Sequence, residues 1–130
     1  MNTSTIHVDQ FMAHEPSAVW KAITTPELLA RWWVPGDIAP VVGHEFLLDM
    51  GDWGNISCTV LEVDEPHRLA FSFGDWTLTF RLEVEGNGTR MFLDHSGFDL
   101  DEPGQQFAFD NMGPGWKDQI LPALAELLDA

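Results

Sequence analysis

Five histidines, one cysteine and a dispersed set of carboxylates are the residues able to do chemistry in this chain. His95 stands out by position. Thr89, Met91, Leu93 and His95 recur at every second residue, so a strand that turns Met91 and Leu93 inward turns His95 inward too. An inward imidazole can bond a ligand, or act as acid or base near neutral pH. The alternative is a core histidine satisfied by a backbone or side-chain partner. His44 with Asp49, and Asp94 with His95, are ligand types for a metal, but no His-x-x-x-His or cysteine pair accompanies them, and no metal site is expected. Cys58 lies in an alternating run and reads as a packed residue, not a nucleophile. Ser96 lacks the glycine spacing of a nucleophile elbow. Gly86-Asn87-Gly88-Thr89 has neither the Gly-Lys-Ser/Thr ending nor the following helix of a phosphate loop, and reads as a hairpin turn. No cofactor is expected. With no catalytic motif, the residues leave open whether the protein is an enzyme.

The second notable set is aromatic: six Trp and nine Phe against no Tyr. Rings of this size fill a core or line an apolar cavity. Trp32, Trp33, Trp53, Trp76, Phe80 and Trp116 come from different elements and are expected to wall such a cavity. Met50, Met91 and Met112 are the adaptable fillers, Ile120 joins from the last helix, and His95 is the polar anchor. The competing expectation is a core packed solid, with no space inside.

The element that must position these residues is the last one. At about 100° per residue, Trp116, Ile120, Leu121, Leu124, Leu127 and Leu128 share one broad side of a helix, while Asp118, Gln119, Glu126 and Asp129 take the other. Lys117 alone intrudes on the apolar side. Pro122 lies on the polar side, where a bend curves the helix around what it covers. Burying the six apolar side chains is worth roughly 9–18 kcal/mol before ordering entropy is subtracted. Such a helix needs a partner surface, and most of the upstream sequence reads as strand.

Ile6 to Met12 alternates as a first strand. Pro16 and Pro26 each suit the first turn of a short helix, with Thr25 as candidate cap of the second. Val34 to Gly43 is a Pro- and Gly-rich loop, placed to act as a lid. Strands are expected over His44 to Met50, Ile56 to Asp64, Arg68 to Phe73, Trp76 to Glu85 and Arg90 to Phe98, separated by short turns that imply antiparallel pairing. Trp76, Leu78, Phe80, Leu82 and Val84 face one way. Gln105 to Met112 suits a short helix, which Gly113-Pro114-Gly115 is expected to break before the last helix. The fold class is therefore α+β, with about six antiparallel strands, two short helices after the first strand and a long C-terminal helix across the sheet.

The chain of 130 residues reads as one domain, 1–130, large enough for its own core. A net charge of −15, with six basic residues scattered singly, argues against nucleic acid and anionic membranes as partners. One cysteine excludes an intrachain disulfide. The start lacks a signal peptide's basic and apolar regions, and no apolar run has membrane-spanning length, so a cytoplasmic protein is expected.

Several short runs in order resemble the START-like helix-grip (SRPBCC) superfamily, and within it the bacterial proteins named after the activator of the heat-shock chaperone ATPase. They are Glu15-Pro16-Ser17-Ala18-Val19-Trp20, Leu29-Ala30-Arg31-Trp32-Trp33, Val42-Gly43-His44-Glu45-Phe46 and Asp64-Glu65-Pro66-His67-Arg68-Leu69. Gly88-Thr89-Arg90-Met91, His95-Ser96-Gly97-Phe98 and Gly115-Trp116 follow. The resemblance implies a curved sheet gripping the C-terminal helix, with an apolar cavity between them. It does not imply one activity, since the superfamily includes lipid carriers, hormone receptors and aromatic cyclases. The expected function is binding of a small apolar or aromatic molecule. The alternatives are a cavity-based enzyme of cyclase or hydrolase type using His95, or a protein-interaction domain that modulates a chaperone.

Overall fold

The computed structural model describes residues 3–130. In chain order it runs β1 (Thr3–Met12), α1 (Pro16–Thr24), α2 (Pro26–Trp32), β2 (Glu45–Asp49), β3 (Asn55–Asp64), β4 (Arg68–Phe73), β5 (Trp76–Glu85), β6 (Gly88–Asp99), α3 (Pro103–Gly115) and α4 (Leu121–Asp129). A single 3₁₀ turn, Gly51–Trp53, links β2 to β3, and a π-helical turn, Trp116–Ile120, joins α3 to α4. The six strands form one antiparallel sheet in the order β1-β6-β5-β4-β3-β2. This is the α+β helix-grip arrangement expected from the sequence. No helix among the described residues is long and apolar enough to cross a membrane.

The alternation in β5 and β6 builds the inner face. Leu78 pairs with His95, Phe80 with Leu93 and Leu82 with Met91, and all six are buried. Arg81 and Glu83, on the intervening positions, are exposed. Val84 continues the inward phase but emerges near the hairpin end, 71% exposed. Trp116, Leu121 and Leu124 cover this face and share its core with Val19, Ile23 and Leu29 of the two short helices. Pro16 and Pro26 open α1 and α2 as expected. Thr25 holds the cap position of α2 but makes no side-chain cap bond.

Two irregularities bend the ladder. In β3, Val60 pairs with Phe71 and Glu62 with Ala70, leaving Leu61 as the extra residue. In β6, Ser96 pairs with Thr5 and Phe98 with Ser4, leaving Gly97 unpaired at φ 98°. An extra residue shifts the alternation by one. His95 and Phe98 therefore both point inward, and both are fully buried.

Gly88, at the start of β6, is required by close approach. A Cβ there would overlap the backbone carbonyl oxygen of Met12 and crowd the Phe11 ring. Gly88→Ala is expected to destabilise the protein by roughly 1–3 kcal/mol, the usual cost of forcing atoms into a packed site. Thermal unfolding checks it: an unchanged midpoint would show that β1 and β6 can separate there without penalty.

The expected break at Gly113-Pro114-Gly115 does not occur. The helical path continues from Pro103 to Asp129. Gly115 takes ordinary right-handed helical angles, and the Trp116 N–H bonds the carbonyls of both Met112 and Gly113. Pro114 is exposed, so its ring lies on the solvent side of the helix. Burial of Trp116 and the partly buried Phe109 and Met112 against the core outweighs the poor local propensity. The irregularity comes one turn later. Pro122 has no N–H to offer the carbonyl four residues back, and the Leu121 N–H bonds Trp116 instead, five residues back. That wider turn places Trp116 and Leu121 together on the buried side.

Candidate functional site

Between the α3–α4 helix and the sheet lies a cavity of about 490 Å³. Its floor is Phe73, Trp76 and His95 from β4, β5 and β6, with Ile56 of β3. Trp33, at the end of α2, and Trp116 close the inner side, and Met112 and Ile120 continue the helix wall. Met50 and Trp53 reach it from the β2–β3 link. Phe107, Ala108 and Asn111 of α3 complete it, with Gly104 and Gly115. Trp53 and Phe107 stand at the mouth, 81% and 66% exposed.

The structure thus brings together Trp33, Met50, Trp53, Trp76, His95, Met112, Trp116 and Ile120. Trp32, Phe80 and Met91 lie outside the lining, in the solid core. Trp32 is held there by its indole N–H, which donates to the Ala22 carbonyl at 2.9 Å. Phe80 stacks on Phe71 with centroids 6.0 Å apart. Met91 is fully buried opposite Leu82. The 34–43 loop does not reach the cavity. Gly36 bridges Leu48, and the Asp49 N–H bonds the Pro35 carbonyl, so part of the loop covers the edge of β2 instead.

The aromatic wall is continuous. Trp33 lies 5.0 Å from Trp116 and 5.7 Å from Phe73, and Phe73 lies 6.3 Å from Trp76, all centroid to centroid. These are ordinary spacings for attractive ring pairs. Gln105 fixes one end of the wall. Its Oε1 accepts the Trp76 indole N–H at 3.2 Å and the Asp99 backbone N–H at 2.6 Å, tying the start of α3 to β5 and β6.

Among the described residues, His95 is the one ionisable group in the lining. Four rings surround it, Phe98 at 4.5 Å, Trp76 at 5.2 Å, Phe73 at 5.6 Å and Trp116 at 6.2 Å. Burial pushes its pKa down from 6.5 to about 4, so the ring is neutral at physiological pH. The Trp116 indole N–H donates to its Nδ1 at 3.1 Å. Its Nε2 has no hydrogen-bond partner among the described residues. A buried N–H left in that state costs about 1–3 kcal/mol.

The remaining candidates have local partners. His44 Nε2 donates to the Asp37 carbonyl at 2.6 Å, and Asp49 Oδ1 accepts the Gly51 N–H at 3.0 Å. Asp94 pairs with His7 on the outer face of the sheet, away from His95. No cluster of three or more potential metal ligands occurs among the described residues. Cys58 is buried, and desolvation pushes its thiol up to about 12, so it carries no thiolate at neutral pH. The Ser96 hydroxyl donates to the Thr77 carbonyl at 3.4 Å.

A six-stranded antiparallel sheet, a long helix across it and an apolar cavity between them define a helix-grip protein. The chain belongs to the family described as "Activator of Hsp90 ATPase homolog 1-like protein", whose model matches residues 13–129. None of the curated proteins matches it. Among solved structures it is similar to protein MLL2253 from Mesorhizobium loti, at 31% identity and TM-score 0.88, with 97% of each chain covered. It is also similar to protein BH1534 from Bacillus halodurans, at 28% identity and TM-score 0.86, over 98% of this chain and 99% of that one. CalU16 from Micromonospora echinospora shares 27% identity at TM-score 0.77, over 95% of this chain and 65% of its own.

Proposed function

We propose that this chain, acting as one cytoplasmic domain, binds a small apolar or aromatic molecule in the cavity between the C-terminal helix and the sheet. The observation that carries this reading is the lining. About 490 Å³ of space is walled by indole, phenyl and thioether groups, with a single buried polar side chain. Small-molecule sites have this character: concave, mostly apolar, with few polar groups that set orientation. The family supports a ligand- or partner-binding role without specifying the ligand.

Binding is favoured over acid–base catalysis by the chemistry of His95. A group with a pKa near 4 is a poor proton acceptor at neutral pH. The Asn111 side chain, also in the lining, already donates to the Phe107 carbonyl at 2.7 Å.

Titration with an apolar, environment-sensitive dye tests the proposal. Saturable binding at a ratio of about one dye per chain is expected, with a change in tryptophan emission because indoles line the cavity. Trp53→Ala, which removes a mouth residue with little buried contact, is expected to alter dye affinity while leaving the unfolding midpoint nearly unchanged. A folded protein that leaves the dye unbound, or binds it without saturation, would reject the proposal.

A further inference from the structure

The two edges of the sheet differ. At β2 part of the edge is covered by the 34–43 loop, through the Gly36–Leu48 bridge and the bond from the Asp49 N–H to the Pro35 carbonyl. At the other end of the strand order stands β1, ten residues long and without a proline. Proteins usually shorten, cover or bend away such an edge, because its unpaired backbone groups can take up another strand.

The ladder fixes which groups of β1 are unpaired. The two-residue turn Gly86-Asn87 makes Glu85 and Gly88 the first hydrogen-bonded pair of β5 and β6. Pairs alternate from there. Arg90, Phe92 and Asp94 bond β5, while Met91, Leu93 and His95 bond Gln10, Val8 and Ile6 of β1. Thr5, His7, Asp9 and Phe11 therefore turn their N–H and carbonyl groups away from the sheet. The Phe11 carbonyl accepts the Gln10 side-chain amide at 3.1 Å. Among the described residues, no backbone hydrogen bond reaches the outward groups of Thr5, His7 or Asp9.

Beside this edge runs a groove of about 550 Å³, with residues 5–8 of β1 as one bank and the flank of the α3–α4 helix as the other. The helix bank carries Asp110, Pro114, Lys117 and Asp118, all exposed. Two carboxylates against one ammonium leave it acidic, on a chain whose net charge is −15. The imidazole of His7 is engaged by Asp94 at 2.7 Å.

We propose that the edge of β1 takes up an extended peptide rich in lysine or arginine, which pairs with Thr5, His7 and Asp9 as a further strand and sets its basic side chains against Asp110 and Asp118. Main-chain bonds supply the affinity, and the acidic bank selects the sequence. Charge decides against a second copy of this chain, since pairing β1 with β1 would bring together two acidic banks on two chains of −15 each. From Thr5 to Asp9 is roughly 14 Å of strand, so about five peptide residues cover it. The groove shares no lining residue with the cavity, and this inference does not depend on the binding proposal above.

The test adds the capped peptide Thr-Lys-Thr-Lys-Thr-Lys-Thr to the full chain labelled with nitrogen-15. Saturable binding is expected, with the amide protons of Thr5, His7 and Asp9 moving downfield and exchanging more slowly with solvent. The same peptide with glutamate for lysine is expected to bind at least about 10-fold more weakly. Two N-methylated forms test the pairing, one methylated at the lysines and one at the threonines. A strand turns alternate residues toward its neighbour, so one form is expected to lose roughly 10-fold in affinity, about two hydrogen bonds, and the other to bind nearly as the parent does. Asp110→Asn with Asp118→Asn, at exposed positions that leave the fold intact, is expected to weaken binding roughly 3- to 10-fold. An unbound lysine peptide, equal affinity for the glutamate peptide, or equal effects of the two methylated forms would overturn the proposal. So would an affinity unmoved by the paired Asp→Asn changes. Movement of the same three amide signals with protein concentration alone would assign the edge to a second copy of the chain and overturn it as well.

Discussion

Trp116→Ala is expected to destabilise the protein by roughly 3–5 kcal/mol, the range for removing a large buried aromatic side chain. The indole is 2% exposed and sits at the first position of the π-turn between α3 and α4. It packs 5.0 Å from Trp33 and holds His95 Nδ1 by its N–H. Its loss therefore opens a void and orphans the second nitrogen of a histidine whose first is already unpaired. Against a typical domain stability of about 5–15 kcal/mol, such a loss is a large share. Trp116→Phe separates the two contributions. It keeps most of the ring packing but removes the N–H, and about 1–3 kcal/mol is expected for the orphaned nitrogen together with the missing ring volume. Urea unfolding of the three proteins checks the order, with Trp116→Ala least stable and Trp116→Phe between. Dye affinity should fall with it, because the same ring walls the cavity. A Trp116→Ala protein within about 1 kcal/mol of the parent would show that the helix is not held to the sheet through this residue.

Residues that line the cavity were legible in the sequence where one period governed their element. In β5, and in β6 as far as His95, the two-residue period held, so Trp76 and His95 could be assigned to the inner face from spacing alone. The same period does not say how far along a strand the solid core ends and the cavity begins. Phe80 and Met91 share that face with His95 yet lie deeper, in filled space. Trp32 and Trp33 illustrate a second limit. Adjacent residues at a helix end point in different directions, and only Trp33 reaches the cavity, while Trp32 turns back to α1.

Phe73 carried a usable signal, since Leu69, Phe71 and Phe73 alternate and all three are buried. Ile56 likewise shares the phase of Cys58 and Val60. Phe107, Ala108 and Asn111 were harder to find. Their helix contains Gly-Pro-Gly, which argues locally for a break, and only tertiary burial of Trp116 and its neighbours keeps the path helical. The bulge at Gly97 was hidden as well. Strict alternation turns Phe98 outward, whereas the extra residue returns it to face His95 at 4.5 Å.

Between about pH 6.5 and about pH 4, His95 is expected to withdraw roughly 3 kcal/mol of stability from the protein. The sign follows from the direction of the shift. In the unfolded chain the imidazole has its ordinary pKa of 6.5, while burial lowers it to about 4 in the fold. Within that window the unfolded state binds the proton and the native state does not, so acidification favours unfolding. Above the window both states are neutral and His95 contributes no pH dependence. Below it both are protonated and the loss is complete. The four rings packed against the imidazole carry no charge, leaving desolvation as the cause. His95→Gln isolates the effect, because a glutamine amide does not titrate and its oxygen can still accept the Trp116 N–H. Urea unfolding across the window should show the parent losing roughly 3 kcal/mol more than the variant, the other titrations being common to both. Parallel stability curves for the two proteins would mean that His95 exchanges its proton as freely when folded as when unfolded.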